Sequence, residues 1–227
     1  MRRDALLVDY GGTLDGDGER WAVRFYRAYQ AAGGTCAFEP FEDRFKESDR
    51  QLARLADVEK LGVYDTFERQ ARLLLELLPE DRNLEARALA DPVTVETLEA
   101  ADRNRALLEM LSTRYRVAVV ANFTGNLERC LAELGMTPYV MSMVDSARVG
   151  FTKPDERIFR MALKLLDRPP EAAWMIGDNF EADIRPAAAL GMATAWVAPA
   201  ERPWPAGTEG IATTRVARFA DLAEVLR

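Results

Sequence analysis

Short apolar runs that alternate with helical patterns constrain the fold of this chain most strongly. These runs occupy residues 5–8, 117–121, 139–144, 174–176 and 193–197, and apolar residues at helical spacing separate the last four. Strands joined through helices run parallel, because the chain crosses back over the sheet before it enters the next strand. The sequence therefore predicts an α/β fold with a parallel sheet core flanked by helices.

A long stretch without strand patterns separates the first run from the second. Apolar residues recur there at helical spacing from Trp21 and again from Tyr64. A stretch of about a hundred residues is too long for a loop in a compact domain. We predict an all-helical domain inserted at residues 16–94, a sheet domain formed by residues 1–15 and 95–227, and a helix at 95–111 that leads back into the sheet.

Composition and charge narrow the range of partners. The chain has 227 residues, 48% of them hydrophobic, and a net charge of −7, which disfavours nucleic acid and anionic membranes and favours a small-molecule substrate. Cys36 and Cys130 are too few for a disulfide framework, and Asp9 interrupts the first apolar run too early for a secretory signal. We expect a cytoplasmic protein, monomeric or homodimeric, that contacts neither nucleic acid nor membrane.

The chain contains no histidine, which excludes Ser-His, Cys-His and His-metal chemistry. Acid–base catalysis must then use Asp, Glu, Lys, Tyr or Cys. Metal ligands must be mostly oxygen atoms, which suit Mg²⁺ better than zinc.

Polar segments directly follow the predicted strands. They are residues 9–13, 122–124 and 177–183, with Lys153 beside Pro154. Open parallel sheets bind ligands at the carboxyl ends of their strands. Taken alone, each segment is more typical of a turn, a helix cap or a solvated lysine. Their combination and order carry the functional prediction.

That order resembles the haloacid dehalogenase superfamily of Mg²⁺-dependent aspartyl hydrolases. The first strand ends in Asp-x-x-Gly-Thr, and the segments VAVVANFTGNLERCLAELG, SARVGFTKPDERIFRMALKLL and WMIGDNFEADIRPAAALGM extend the resemblance over nearly the whole chain. It implies a Rossmann-like core with a helical cap inserted after the first strand. It also implies a phosphatase-like hydrolase acting on a small phosphorylated metabolite.

The resemblance assigns a role to each polar position. Asp9 is the expected nucleophile, Lys153 steadies the transferred charge, and Asp178 binds the metal with Asp9 and the Gly11 carbonyl. Positive charge is needed because a carboxylate approaching a phosphate meets a repulsion of about 4 kcal/mol per charge pair at about 4 Å. Further residues are expected to support Lys153 or to shape the phosphoryl pocket: Asp183, Gly12, Thr13 and Asn122.

Two positions depart from the superfamily pattern. Gly11 stands where phosphatases carry an aspartate that protonates the leaving oxygen, and such acid–base help is worth about 10²–10⁴-fold. Ala121 stands where Ser or Thr usually contacts a phosphoryl oxygen, and a lost hydrogen bond to a charged group costs about 1.5–3 kcal/mol unless Asn122 or Thr124 replaces it.

Three explanations fit these departures. The substrate has a good leaving group, as in an acyl phosphate, an aryl phosphate or an anhydride. Alternatively the protein resembles phosphonatases, in which a cap lysine forms an imine, here Lys46 or Lys60. Or the fold binds a ligand without turnover.

Two further hypotheses concern the chemistry. Asp15, Asp17 or Glu19 could replace the missing acid, although charged residues at such a crossing are mostly solvated. Dehalogenation is disfavoured, because Gly177-Asp178 points to metal and phosphate rather than halide.

Overall fold

A six-stranded parallel sheet organises the computed structural model, which describes residues 3–208, 210–211 and 213–226. The strand order is β3-β2-β1-β4-β5-β6. The strands are β1 (Ala5–Val8), β2 (Arg116–Ala121), β3 (Ser142–Asp145), β4 (Ala173–Gly177), β5 (Ala193–Val197) and β6 (Thr214–Val216). The predicted α/β class with a parallel core is confirmed.

The described helices either pack on this sheet or form the insert between β1 and β2. They are α1 (Trp21–Ala31), α2 (Phe38–Leu52), α3 (Val63–Glu76), α4 (Ala86–Ser112), α5 (Leu127–Glu133), α6 (Ser146–Val149), α7 (Glu156–Leu165), α8 (Arg185–Ala189) and α9 (Leu222–Val225). Successive strand residues point to opposite faces, so Leu6 and Val8 join one apolar cluster while Ala5 and Leu7 join another. Strands buried on both faces appear as uninterrupted apolar runs, which is why the sequence revealed them.

Two strands differ from the sequence prediction. The run at residues 139–144 contains the end of a 3₁₀ turn, Thr137–Tyr139, and the strand begins only at Ser142. Pro138 in that turn has no N–H to donate to a neighbouring strand. The sixth strand, Thr214–Val216, was not predicted, because three residues that include Thr and Arg carry no apolar pattern.

The helices α1, α2 and α3 lie between β1 and β2 in the chain, and α4 connects them to the sheet. Helix α4 begins at Ala86 instead of residue 95, and Pro92 lies inside it without ending it. The predicted domain boundary at residues 94 and 95 therefore falls within one continuous helix. Leu89 of α4 and Val119 of β2 belong to the same apolar cluster, which joins the helical insert to the sheet. The described helices include none both long and apolar enough to cross a membrane.

Candidate active site

The centre of the sheet brings Asp9 and Asp178 together. Asp9 follows β1 and Asp178 follows β4, and these strands pair with Val8 opposite Ile176. The Asp9 N–H donates to the Ile176 carbonyl at 2.9 Å, which continues the pairing to the strand end. The strand order reverses between β1 and β4, and this is where open α/β sheets form a ligand crevice.

Asp183 and Lys153 complete a buried charged cluster at this crevice. Ligand oxygens of Asp9, Asp178 and Asp183 all lie within 4.8 Å of one another. The Lys153 Nζ lies 2.5 Å from Asp9 Oδ1 and 2.7 Å from Asp183 Oδ1. One ammonium cannot balance three carboxylates, so the cluster carries excess negative charge unless a proton or a cation compensates it.

The pKa values of Asp178 and Asp183 are raised, as expected for buried carboxyl groups that lie close together. Burial, with added repulsion from Asp9 and Asp183, raises the pKa of Asp178 well above its ordinary value. Burial likewise raises the pKa of Asp183 to about 6, although the Lys153 ammonium opposes that shift. Burial disfavours the charged form of Lys153, but the carboxylates of Asp183 and Asp9 outweigh it and raise the pKa of Lys153 above its ordinary value.

One oxygen of this cluster has the properties of a metal ligand. Within the described parts of the chain, the buried Asp178 Oδ2 has no hydrogen-bond partner. The Thr13 hydroxyl donates to Asp9 Oδ2 at 3.2 Å and lies 3.5 Å from Asp178 Oδ1, so it joins the two carboxylates. Hard oxygen donors of this kind suit Mg²⁺. The residues present therefore fit a divalent cation.

The turn after β1 permits this close approach. Gly12 has a φ of +87°, and a Cβ there would lie 2.8 Å from Asp178 Oδ2, so only glycine fits without strain. The Gly12 N–H donates to Asp15 Oδ1 at 2.6 Å. This amide therefore binds within the turn rather than in the crevice, and Gly12 contributes by its small size.

Asp15 anchors that turn. It is fully buried, and it accepts a 2.5 Å hydrogen bond from Trp21 Nε1 and lies 3.5 Å from Arg24 Nη1. Burial raises the pKa of Asp15, while Arg24 opposes the shift. These contacts hold the Trp21 ring against the turn.

The two other candidate acids also have partners away from the cluster. Asp17 accepts hydrogen bonds from Arg103 and Asn104, and Glu19 pairs with Arg27 at 2.6 Å. All three candidate acids therefore have hydrogen-bond or ion-pair partners. Their role as a replacement for the missing acid stays a prediction.

Asn122 fixes the segment that carries Lys153. Its Nδ2 donates to the Lys153 carbonyl at 3.0 Å, and its Oδ1 accepts from the Lys153 N–H at 2.7 Å. This two-point contact aligns the lysine with the crevice. Asn122 therefore positions the Lys153 backbone, and it also lines the small cavity beside Asp9. Its contact with a phosphoryl group stays a prediction.

Asp145 is a buried residue of this region that the sequence analysis missed. It ends β3 and accepts hydrogen bonds from the N–H groups of Gly125, Leu127 and Ala147 at 3.0, 3.2 and 3.0 Å. These bonds hold the loop after β2 in place. The rule that found Asp9 and Asp178, a polar residue directly after an apolar strand, would also have found Asp145.

Two cavities adjoin the cluster. A small one of about 120 Å³ contains Asp9, Lys153, Asp178 and Asp183 in its wall, together with Arg20, a cation that the sequence analysis did not single out. A larger one of about 540 Å³ lies between α2 and the loops after β2 and β3. Gly11 and Asn122 line both cavities, so the two meet there.

Gly11 borders the larger cavity beneath the Trp21 ring. Its φ of −73° and ψ of 114° suit any residue, and a Cβ would lie 3.6 Å from Trp21 Cε2 and Nε1, an ordinary contact. The backbone therefore does not require glycine here.

The remaining residues named in the sequence analysis lie in three kinds of place: the buried core, the larger cavity and the surface. Ala121 is buried, and the Thr124 hydroxyl donates to Asn126 Oδ1 at 2.6 Å, while Thr124 also lines the larger cavity. Lys46 lines the same cavity, and Lys60 lies exposed in the short turn Val58–Lys60.

Comparison with known proteins identifies the family of this chain. The haloacid dehalogenase-like hydrolase family matches residues 3–191. The chain belongs to this hydrolase family. Human haloacid dehalogenase-like hydrolase domain-containing protein 3 is 36% identical over 101 residues, which cover 44% of this chain and 39% of the relative. Phosphoserine phosphatase of Thermus thermophilus is 38% identical over 88 residues, covering 38% of this chain and 35% of that protein.

Solved structures share the fold over the full length. The HAD hydrolase YfnB of Bacillus subtilis superposes with a TM-score of 0.60 at 20% identity, covering 100% of both chains. The 2-haloacid dehalogenase of Pseudomonas syringae gives a TM-score of 0.57 at 21% identity, covering 100% of this chain and 98% of that one. At this identity the similarity establishes the Rossmann-like fold alone, whereas the family match over residues 3–191 establishes membership.

Proposed function

We propose that this family member is a Mg²⁺-dependent hydrolase that removes the phosphoryl group from a small phosphorylated metabolite. The observation that carries the proposal is the Lys153 Nζ placed 2.5 Å from Asp9 Oδ1, beside Asp178, whose Oδ2 has no hydrogen-bond partner among the described residues. Relatives named phosphoserine phosphatase, glyceraldehyde 3-phosphate phosphatase and pyrimidine 5'-nucleotidase YjjG support a phosphoester substrate.

Asp9 is the proposed nucleophile. Its carboxylate oxygen forms a bond to phosphorus while the bond from phosphorus to the leaving oxygen breaks, and that oxygen keeps the electron pair. Water then attacks the phosphorus of the aspartyl phosphate, releases inorganic phosphate and restores the Asp9 carboxylate. Lys153 offsets negative charge on the phosphoryl oxygens in both steps, and Asp183 keeps the ammonium directed at Asp9.

Asp9, Asp178 and the Gly11 carbonyl would hold Mg²⁺. The ion supplies positive charge that lets an anionic nucleophile meet an anionic phosphate. Thr13 keeps the Asp9 and Asp178 carboxylates adjacent, and Gly12 leaves the space that their approach needs.

Gly11 restricts the substrates that this site can cleave. With no carboxyl group there, nothing at position 11 protonates the leaving oxygen, and Asp15, Asp17 and Glu19 have other partners. An alkyl ester has a strongly basic leaving oxygen and therefore suffers most from the missing acid. We infer that the substrate is an ester or anhydride with a good leaving group.

Phosphate release from paired aryl and alkyl esters with Mg²⁺ tests this function. The natural chain should cleave the aryl ester, and Gly11→Asp should gain alkyl turnover, because the backbone at position 11 accepts a side chain. Gly11→Asn has nearly the same shape without the acid and is the matched control. Asp9→Asn should abolish turnover of both esters.

Two alternatives are separated by the same assay. A phosphonatase would need a lysine for the imine, either Lys46, which lines the larger cavity, or Lys60, so cleavage of a carbonyl phosphonate that is lost in Lys46→Arg or Lys60→Arg would favour it. Mg²⁺ binding without turnover of either ester would favour a binding protein instead.

A further inference from the structure

Three aromatic side chains line the larger cavity, close to the proposed nucleophile. They are Trp21, Phe45 and Phe123, and the rings of Trp21 and Phe123 meet edge to face with centroids 5.5 Å apart. A cavity of about 150 Å³ is enough to hold benzene in a protein interior. The volume of about 540 Å³ here therefore has room for a substituted ring.

The position of this cavity relates it to the leaving group. Gly11 lines both the small cavity with Asp9 and the larger aromatic one. The small and larger cavities meet at Gly11 and Asn122, so a phosphoryl group held at Asp9 has the larger cavity on its Gly11 side. A group attached to that oxygen would pass Gly11 and enter the space bounded by Trp21.

The cations of this cavity are already paired at its rim. The Lys46 side chain is 52% exposed and lies 3.1 Å from Glu42, and the Arg50 side chain is 62% exposed and lies 2.6 Å from Glu47. Because the Lys46 ammonium and the Arg50 guanidinium are each paired with a glutamate, they do not form a second phosphate site. The aromatic wall is thus the stronger recognition feature.

We propose that this cavity takes the ring of an aryl phosphate ester, and this inference rests on the proposed function. The Asp9 carboxylate bonds to phosphorus, the bond to the aryl oxygen breaks, and the phenolate takes the electron pair and later a proton from water. A phenolate leaves without an acid, so Gly11 and the aromatic wall suit the same substrate.

A pair of esters with matched leaving groups tests ring recognition separately from leaving-group quality. Phenyl phosphate is compared with a fluorinated alkyl phosphate whose alcohol is about as acidic as phenol. We expect kcat/KM to be about tenfold higher for the phenyl ester. Equal values would overturn this inference and leave the proposed function intact, whereas no turnover of either ester would count against the proposed function itself.

Binding without chemistry gives a second, independent measurement. With Mg²⁺ present, calorimetry should show benzylphosphonate binding about tenfold more tightly than ethylphosphonate. Equal affinities would overturn the ring site. Ring-selective binding without turnover of any ester would support the ring site and refute the hydrolase.

An exposed alanine allows the cavity to be filled without removing core side chains. Ala147 lines the cavity, so Ala147→Trp should raise KM for phenyl phosphate about tenfold while turnover of the smaller acetyl phosphate persists. Ala132→Trp, at an exposed alanine of α5 outside the cavity lining, is the matched control. Unchanged KM in Ala147→Trp would contradict the proposal.

Two results with other substrates would also overturn it. One is faster cleavage of a nucleoside 5'-monophosphate, an alkyl ester with a base, than of phenyl phosphate. The other is alkyl turnover that disappears in Asp49→Asn, because the carboxyl group of Asp49 in the same cavity would then supply the missing acid.

Discussion

Each buried carboxylate in the charged cluster lowers the stability of the fold when no cation balances its negative charge. Asp9, Asp178 and Asp183 lie together with one ammonium, and the pKa of Asp178 is raised well above its ordinary value by burial and by its neighbours. Such a group is destabilising as an anion and becomes favourable only with a cation. The proposed metal binding and the stability of the fold therefore favour different residues at position 178.

Asp178→Asn should separate these two effects. In the presence of a chelator, we expect the variant to have a higher melting temperature than the natural chain, because one buried negative charge is gone. Added Mg²⁺ should stabilise the natural chain by about 2.7 kcal/mol at a hundredfold excess over Kd, and it should have little effect on the variant. Thermal unfolding with and without Mg²⁺ measures both. Asp167→Asn, with a side chain 93% exposed, is the control.

Asp49 provides a pH-dependent test at the same scale. Burial raises its pKa to about 7, and Gln70 and Arg50 only partly oppose the shift. The folded chain therefore keeps a proton that the unfolded chain has already lost, so this group's contribution to stability falls as pH rises from about 4 to 7. Asparagine resembles the protonated form at every pH.

We accordingly expect Asp49→Asn to gain stability relative to the natural chain when pH rises from 5 to 8. Chemical denaturation at the two pH values gives this difference. Asp43→Asn on the same helix, with a side chain 81% exposed, corrects for the loss of an exposed carboxylate. A gain no larger than in this control would refute the shifted pKa.

Secondary-structure elements show where sequence patterns were sufficient and where they were not. The proximity of Asp9, Lys153, Asp178 and Asp183 could be predicted, because the carboxyl ends of parallel strands meet at one edge of a sheet. Their catalytic roles stay predictions. Trp21 was recognised only as part of a helix, since periodicity gives the apolar face but not which ring borders a cavity. The contacts of Gly12 and Asn122 depend on hydrogen-bond partners that spacing does not specify.

The start of helix α4 is a second feature that the sequence pattern did not predict correctly. The sequence placed its start at residue 95, but it begins at Ala86 with Pro92 as its seventh residue. Proline inside a helix removes one hydrogen bond and crowds the preceding turn, which normally ends the helix. Packing of Leu89 and Val93 into the shared apolar cluster offsets that cost here.

Pro92→Ala should therefore stabilise the protein. The new N–H at position 92 is directed at the carbonyl of residue 88 by helix geometry, and we expect a gain of about 2 kcal/mol after the entropy of the unfolded chain is counted. Urea unfolding measures it. Glu99→Ala, an exposed substitution in the same helix, should change stability by only a few tenths of a kcal/mol. A loss in Pro92→Ala would mean that the proline ring itself packs favourably.

The whole molecule combines its functional groups from two regions. The sheet edge supplies the charged cluster, and the helical insert supplies Trp21, Phe45 and Asp49 to the neighbouring cavity. A ligand that fills both cavities contacts both regions at once. Its binding should then oppose local opening in each of them.

Hydrogen exchange with Mg²⁺ in every sample tests this connection. Benzylphosphonate should slow amide exchange both in residues 45–53 of the insert and in residues 146–152 after β3, because the proposed position of its ring is between these segments. Inorganic phosphate fits the small cavity alone and should slow exchange only near residues 9–13 and 178–183. If benzylphosphonate and inorganic phosphate protect residues 45–53 equally, the insert responds to the phosphoryl group and not to the ring. The aromatic cavity would then have no part in selecting the substrate.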